Sequence, residues 1–352
     1  MLSVLMAICS AKAGIDIMYS LKHNMLANCY FIIMPICSFG YIVGGLFAGL
    51  FVDRFGARNT LSCSTIITAL ISFIVIFPTS TFILSLCFFV RGVAISFKYN
   101  ASFNSLKILY KDADIRRKQT NYFYTIFYGS GIMFPIISSL FNRYLSMEIL
   151  FLVLGIWSIL AAYLVYKNLP SNYGKLNANY IKNFIFLIKN NQFRRYCIIS
   201  AIMTGGHYGM LSVICSKVSF NQFQFLQSFG RACVALSTAV TVNYNINLRY
   251  MSLCIFSTTY LMLQFYQWIG LSMIIIILFV FCCAAGASQP QLKAGMINIC
   301  VSLESEENNI TGTGQSLITT SNSVFQMIMD CLITKPTLIL TVINLVSIIS
   351  II

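Results

Sequence analysis

Gly44-Gly45-Leu46-Phe47-Ala48-Gly49-Leu50-Phe51-Val52-Asp53-Arg54-Phe55-Gly56-Ala57-Arg58 starts inside a long apolar run and ends in a compact charged turn. Gly45 and Gly49 lie four apart, so a helix through them presents both on one face, where a second helix can approach closely. Asp53, Arg54 and Arg58 follow at once, and Gly56 supplies the permissive backbone of a tight reversal. A membrane hairpin needs only a polar turn. Here the turn is fused to a packing face.

The composition around this stretch puts it in a bilayer. The chain has 352 residues, of which 58% are hydrophobic and 9% charged, against about a quarter charged in soluble domains. A soluble fold built from these residues would expose large apolar patches. The apolar runs are continuous and about 20 residues long, which argues for helices over the alternating strands of a barrel. The 13 cysteines are scattered through those runs, with one adjacent pair at Cys282-Cys283 and no CxxC. That is the pattern of small hydrophobes, not of disulfides or a metal site. The two histidines, His23 and His207, form no ligand pair, so no metal is expected.

Counting about 20 apolar residues per span gives twelve helices, near 1–19, 31–52, 59–78, 81–103, 120–141, 148–168, 195–216, 223–243, 249–269, 270–289, 311–333 and 337–352. Fifteen of the 23 Lys and Arg fall in loops on one side, among them Arg54, Arg58, Lys107 to Lys118, Lys167 to Arg195 and Lys293. Four, Lys22, Arg143, Lys217 and Lys335, fall on the other. The positive-inside rule therefore places both termini in the cytoplasm. The net charge of +14 is read as topological and lipid-facing, with no nucleic-acid role. The longest basic loop, 169–194, is polar and lacks an acid. It divides the chain into a six-helix bundle at 1–168, a cytoplasmic linker at 169–194 and a second six-helix bundle at 195–352. A six-plus-six layout predicts a binding site between the halves near the bilayer midplane.

Gly45-x3-Gly49-x3-Asp53-Arg54-x-Gly56-x-Arg58 resembles the loop 2–3 signature of the major facilitator superfamily. Further segments are similar to the bicyclomycin-resistance type of drug:proton antiporter within it. These are Gly14-Ile15-Asp16-Ile17-Met18-Tyr19, Arg91 on the fourth helix, Lys111-Asp112 after it, the fifth-helix segment Phe134–Ser138 with Gly131 and Pro135, and Thr311–Leu317. The resemblance implies an all-α membrane protein with 12 transmembrane helices in two six-helix bundles. It implies a monomer of the cell (inner or plasma) membrane, with a small-molecule substrate, protons and the lipid bilayer as partners. The proton gradient, and no cofactor, would supply the energy. It also implies that Asp53 pairs with basic residues of neighbouring loops and faces the start of the eleventh helix. Gly45, Gly49, Asp53, Arg54, Gly56 and Arg58 would then form a latch that closes one conformational state.

Four further sets of residues are candidates for the transported molecule and the coupling ion. Asp16 is the only acid in the first span, and Lys12 lies one turn before it. A buried carboxylate beside a cation can exchange protons during a transport cycle, so Asp16 is the proton-coupling candidate. A static ion pair or a helix cap is the alternative. Arg91 and Lys98, seven apart, share a face of the fourth helix, and Arg231 lies on the eighth. Facing a cavity, these cations favour anionic or zwitterionic substrates; as packing ion pairs they favour nothing. His207, within Thr204-Gly205-Gly206-His207-Tyr208-Gly209, can titrate near neutral pH.

The leading expectation is proton-coupled efflux of small organic molecules by alternating access. The alternative is a metabolite importer, symporter or facilitator, on the same fold. A transport-inactive regulator is the third reading, because the second-half counterpart of the signature, Asn243–Arg249, keeps an Arg but no acid or Gly. No nucleophile–base set or phosphate loop is present, so no enzyme is expected.

Overall fold

The computed structural model of the chain describes residues 1–20, 27–77, 80–144, 147–171, 180–201, 210, 220–244, 248–265, 268–303, 310–331 and 336–351. The first-half helices are α1 (Leu2–Ser20), α2 (Ala27–Phe55), α3 (Ala57–Ile74), α4 (Thr81–Leu109), α5 (Ala113–Tyr144) and α6 (Met147–Asn168). A short helix α7 (Tyr180–Lys189) follows, and α8 is described over 191–201. The remainder are α9 (Phe220–Val240), α10 (Leu248–Gln264), α11 (Leu271–Leu303), α12 (Thr311–Cys331) and α13 (Pro336–Ile351). No strand occurs among the described residues. Pro35–Phe55, α3, α4, Glu148–Asn168 and α11 are long and apolar enough to cross a membrane.

Helices α1–α6 and α8–α13 follow the order of the twelve expected spans, with several differences of extent, three of them of six residues or more, and one addition. Helix α4 runs to Leu109, not 103, α5 begins at Ala113, not 120, and α11 runs to Leu303, not 289. Lys107, Arg116, Arg117, Lys118 and Lys293, read as loop charges, are therefore helical. Arg116 and Lys293 are 3% and 8% exposed. Hydropathy marks where an apolar run ends, but an intrahelical ladder continues until something stops it. Even Pro290 sits inside α11, as prolines do where neighbouring groups absorb the lost bond. The addition is α7, within the stretch read as a linker. Ile181, Ile185, Phe186 and Ile188 on it are exposed while Leu187 is buried.

The chain forms two compact units. Unit 1 comprises Met1–Asp112, Met133–Leu187 and Ile297–Thr320; unit 2 comprises Ala113–Ile132, Ile188–Met296 and Ser321–Ile352. The first half of α12 thus packs with α1–α4, and the first part of α5 with α8–α11. Unit 1 centres on Ile33, Leu84, Phe88, Leu150, Phe151 and Leu154. Unit 2 centres on residues such as Ile255, Leu278, Phe281, Leu340 and Ile343.

The same helix pairings recur in each unit. In unit 1, α2 packs on α4 and α3 on α6. Gly92 of α4 meets the backbone of Cys37 and Tyr41, and Gly40 and Gly44 of α2 meet that of Phe89 and Val93. In unit 2, the corresponding pairs are α9 with α11 and α10 with α13. There Gly286 meets the Val234 backbone, and Thr238 Oγ1 donates to the Gly286 carbonyl at 3.0 Å. Small residues let the backbones touch, which apolar side chains in lipid cannot drive by hydrophobicity alone.

Candidate functional site

The charged turn of the opening stretch is built from both ends. Helix α2 closes at Phe55, Gly56 takes φ 82°, and α3 starts at Ala57. That φ lies in the left-handed region that glycine enters without strain. The reversal leaves Asp53 on the last turn of α2, only 1% exposed.

Asp53 points at the start of α12. The backbone N–H groups of Gly312 and Thr313 donate to its Oδ1 and Oδ2 at 3.0 Å each, and Thr313 Oγ1 donates to Oδ2 at 2.9 Å. The first N–H groups of a helix have no partner within it. A capping side chain ordinarily serves them, but Ile310, which precedes α12, has no side-chain oxygen to offer, and the first turn carries no acid. Asp53 performs the capping from another helix, with its negative charge at the positive end of the α12 dipole. Lys107 Nζ adds a bond to Thr311 Oγ1 at 3.1 Å.

Small residues bring the two helices that close. A Cβ on Gly49 would stand 2.5 Å from the Gly312 carbonyl, and one on Gly45 2.6 Å from Thr320 Oγ1. A Cβ on Gly312 would collide with the Asp53 carboxylate. Ser316 Oγ donates to the Gly45 carbonyl and accepts from the Gly49 N–H. Gly45, Gly49 and Asp53, spaced by four, thus meet Thr320, Ser316 and Gly312, spaced by four, in antiparallel register. All of these lie in unit 1. Of the remaining signature residues, Arg54 is exposed with its guanidinium 5.6 Å from the Phe55 ring centroid. Arg58 stacks over Tyr166 of α6 at 4.8 Å.

Deeper in unit 1, Arg91 and Lys98 of α4 are both fully buried, at 0% exposure. Lys98 Nζ donates to Ser10 Oγ on α1 (3.1 Å) and to Thr68 Oγ1 on α3 (2.5 Å). Among the described residues, Arg91 Nε and Nη1 have no hydrogen-bond partner, nor has Ser102 Oγ.

In unit 2, Arg231 of α9 is buried and its Nη1 donates to the Gly131 carbonyl of α5 at 2.7 Å. The structure therefore joins two residues that the sequence analysis treated separately. Tyr128, one turn before Ile132 on α5, donates to Gln289 Oε1. The backbones of Asp16 and Pro135 are helical, in α1 and α5, but their side chains lie outside the described residues, as does His207 altogether.

Several site residues escaped sequence reasoning. Ser316 lies inside the antiporter-like segment Thr311–Leu317 but was given no role there, and Thr320 is an ordinary residue in a polar helix that only the spacing of four from Ser316 would have marked. Ser10 and Thr68 carry no sequence signal at all; they matter because α1, α3 and α4 bring them to Lys98.

A family model described as Major Facilitator Superfamily matches residues 30–329. No functionally curated protein matches the chain. Among solved structures, the chain is similar to a major-facilitator proton:xylose symporter, XylE, bound to 6-bromo-6-deoxy-D-glucose. The TM-score is 0.73 at 11% identity, with 99% of this chain and 93% of that one covered. It is also similar to the human organic anion transporter MFSD10 (TETRAN), with a TM-score of 0.72 at 12% identity, covering 99% and 96%. At such identities the likeness is one of fold.

Proposed function

The chain belongs to the major facilitator superfamily, and from that premise we propose that it exports small organic molecules by alternating access, driven by proton influx. Membership makes it a multi-pass membrane transporter; cargo, direction and coupling ion are specific to this reading, since one fold carries many cargoes. The observation that supports alternating access best is the Asp53 carboxylate at the start of α12. Hydrogen bonds to a charged group contribute about 1.5–3 kcal/mol each. Such a contact is strong enough to hold one state and weak enough to open.

Export and proton coupling draw on the likeness of Gly14–Tyr19 and Thr311–Leu317 to drug:proton antiporters, with Asp16 as the proton carrier. Gly45, Gly49, Asp53, Arg54, Gly56 and Arg58 form the latch, with both termini in the cytoplasm. Proton-linked import is the second reading, because one similar structure is that of a proton:xylose symporter.

Everted membrane vesicles carrying the protein test this. Radiolabelled benzoate, glucose and tetraphenylphosphonium are offered under an interior-acid gradient. We expect uptake of at least one probe, abolished by a protonophore and by Asp16→Asn. Uptake driven only by an exterior-acid gradient, proton and probe entering together, would establish symport and hence the import reading instead. Absence of uptake under gradients of either sign would reject proton-coupled transport of these classes.

A further inference from the structure

Arg91 and Lys98 are separated by seven residues, two turns of α4 and about 10.5 Å of rise, so they lie on one face. Both are fully buried. Ser102, one turn beyond Lys98 on that face, is buried with its hydroxyl unpartnered.

Among the described residues, the hydrogen-bond partners of these cations orient them without neutralising them. Lys98 Nζ is held by two hydroxyls, Ser10 Oγ and Thr68 Oγ1. A hydroxyl accepts a hydrogen bond but brings no charge. Among the described residues, Arg91 Nε and Nη1 have no hydrogen-bond partner. Burying a guanidinium in that condition is costly, and proteins tolerate it where a counter-charge arrives from elsewhere.

The chain's own acids do not balance the account. Of its nine Asp and Glu, only Asp16 and Asp53 fall within α1–α4. Asp53 is bound to the start of α12. Asp16 is the one other carboxylate of these helices, which carry six Lys and Arg, namely Lys12, Arg54, Arg58, Arg91, Lys98 and Lys107. Even with Asp16 ionised and paired to one of the two buried cations, Arg91 and Lys98, a surplus of one positive charge remains.

We infer that the transported molecule carries an anionic group, a carboxylate or phosphate, and that Arg91 and Lys98 bind it within unit 1, with the Ser102 hydroxyl beside them. Guanidinium nitrogens suit the oxygens of such a group, and the ammonium adds a second positive charge. The inference rests on the transport reading and specifies its cargo.

Three probes of one ring and different charge test it: benzoate, benzamide and benzylammonium. Binding is measured as thermal stabilisation of the purified, delipidated full-length protein in neutral detergent. We expect benzoate to bind at least tenfold more tightly than the other two. Arg91→Gln and Lys98→Met should each erase that preference, with folding checked by a monodisperse elution profile. If Arg91→Gln does not fold, Lys98→Met and Arg91→Lys carry the test, the latter retaining part of the preference. Equal binding of the three probes, a preference for benzylammonium, or a benzoate preference that survives in the variants overturns the proposal. Stabilisation by phosphatidylglycerol but not by benzoate assigns the site to a lipid head group and overturns it too. Binding is read without a gradient, so failure of vesicle transport leaves this result standing. A transporter without charge preference defeats this proposal alone.

Discussion

The Asp53 carboxylate and the Gly312 N–H, 259 positions apart in the chain, lie 3.0 Å from each other. Through that bond the end of α2 caps the beginning of α12. The cap joins the first helical hairpin of the chain to a helix near its other end.

Asp53→Asn keeps the size of the side chain and removes its charge. Two N–H donors and one hydroxyl then compete for a single neutral oxygen. Amide exchange in a peptide covering residues 310–317 should rise about tenfold or more, the equivalent of one charge-assisted hydrogen bond. Unchanged exchange there would mean that Asp53 does not hold the first turn of α12.

Gly312→Ala places a methyl against the Asp53 carboxylate and the Gly49 carbonyl. The cost expected for overpacking is about 1–3 kcal/mol, seen as a lower melting temperature and reduced transport. Gly129→Ala is the control: it sits in α5 with nothing within 4 Å of the added carbon. That change should be neutral or stabilise by up to about 1 kcal/mol.

Gly92→Ala and Gly286→Ala test the repeated pairings. Each puts a Cβ within 3.0 Å of backbone in the neighbouring helix, at Cys37 and Val234 respectively. Backbone yields less readily than a side-chain tip, so both should destabilise by about 1–3 kcal/mol. Limited proteolysis should then expose unit 1 first in the former variant and unit 2 first in the latter.

Arg231→Met removes the donor to the Gly131 carbonyl. Expected is a loss of thermal stability of about 1.5–3 kcal/mol, the range for hydrogen bonds involving charge, with probe affinity unaltered. The reverse pattern, weaker affinity at full stability, would make Arg231 a binding residue.

The residues from Gly45 to Arg58 were legible because two independent signals coincide there, a four-residue small stripe and a charge cluster in an apolar run. The facing stripe, Gly312, Ser316 and Thr320, was half legible. Its glycine stands out, but Ser and Thr reveal their role only once a partner helix lies on them. Gly44 and Gly45 make the same point from within one helix. They are adjacent in sequence but about 100° apart around α2, so Gly44 serves α4 and Gly45 serves α12. Lys293 misled, because a lysine after an apolar run reads as a loop residue although its backbone remains helical. Helix α7 was hidden because its ten residues are too few for a span and sit amid asparagines.

The borrowed cap has a consequence during synthesis. At about 5–20 residues per second, the ribosome needs on the order of 10–50 s to travel from Asp53 to Gly312. For that interval the acid has no helix end to receive it and depends on water or lipid head groups at the membrane edge. A nascent chain that stops before Thr311 never acquires its partner. Truncated products of this kind carry an uncompensated carboxylate beside the bare glycine face of α2, and membrane proteases should clear them faster than chains cut within α13.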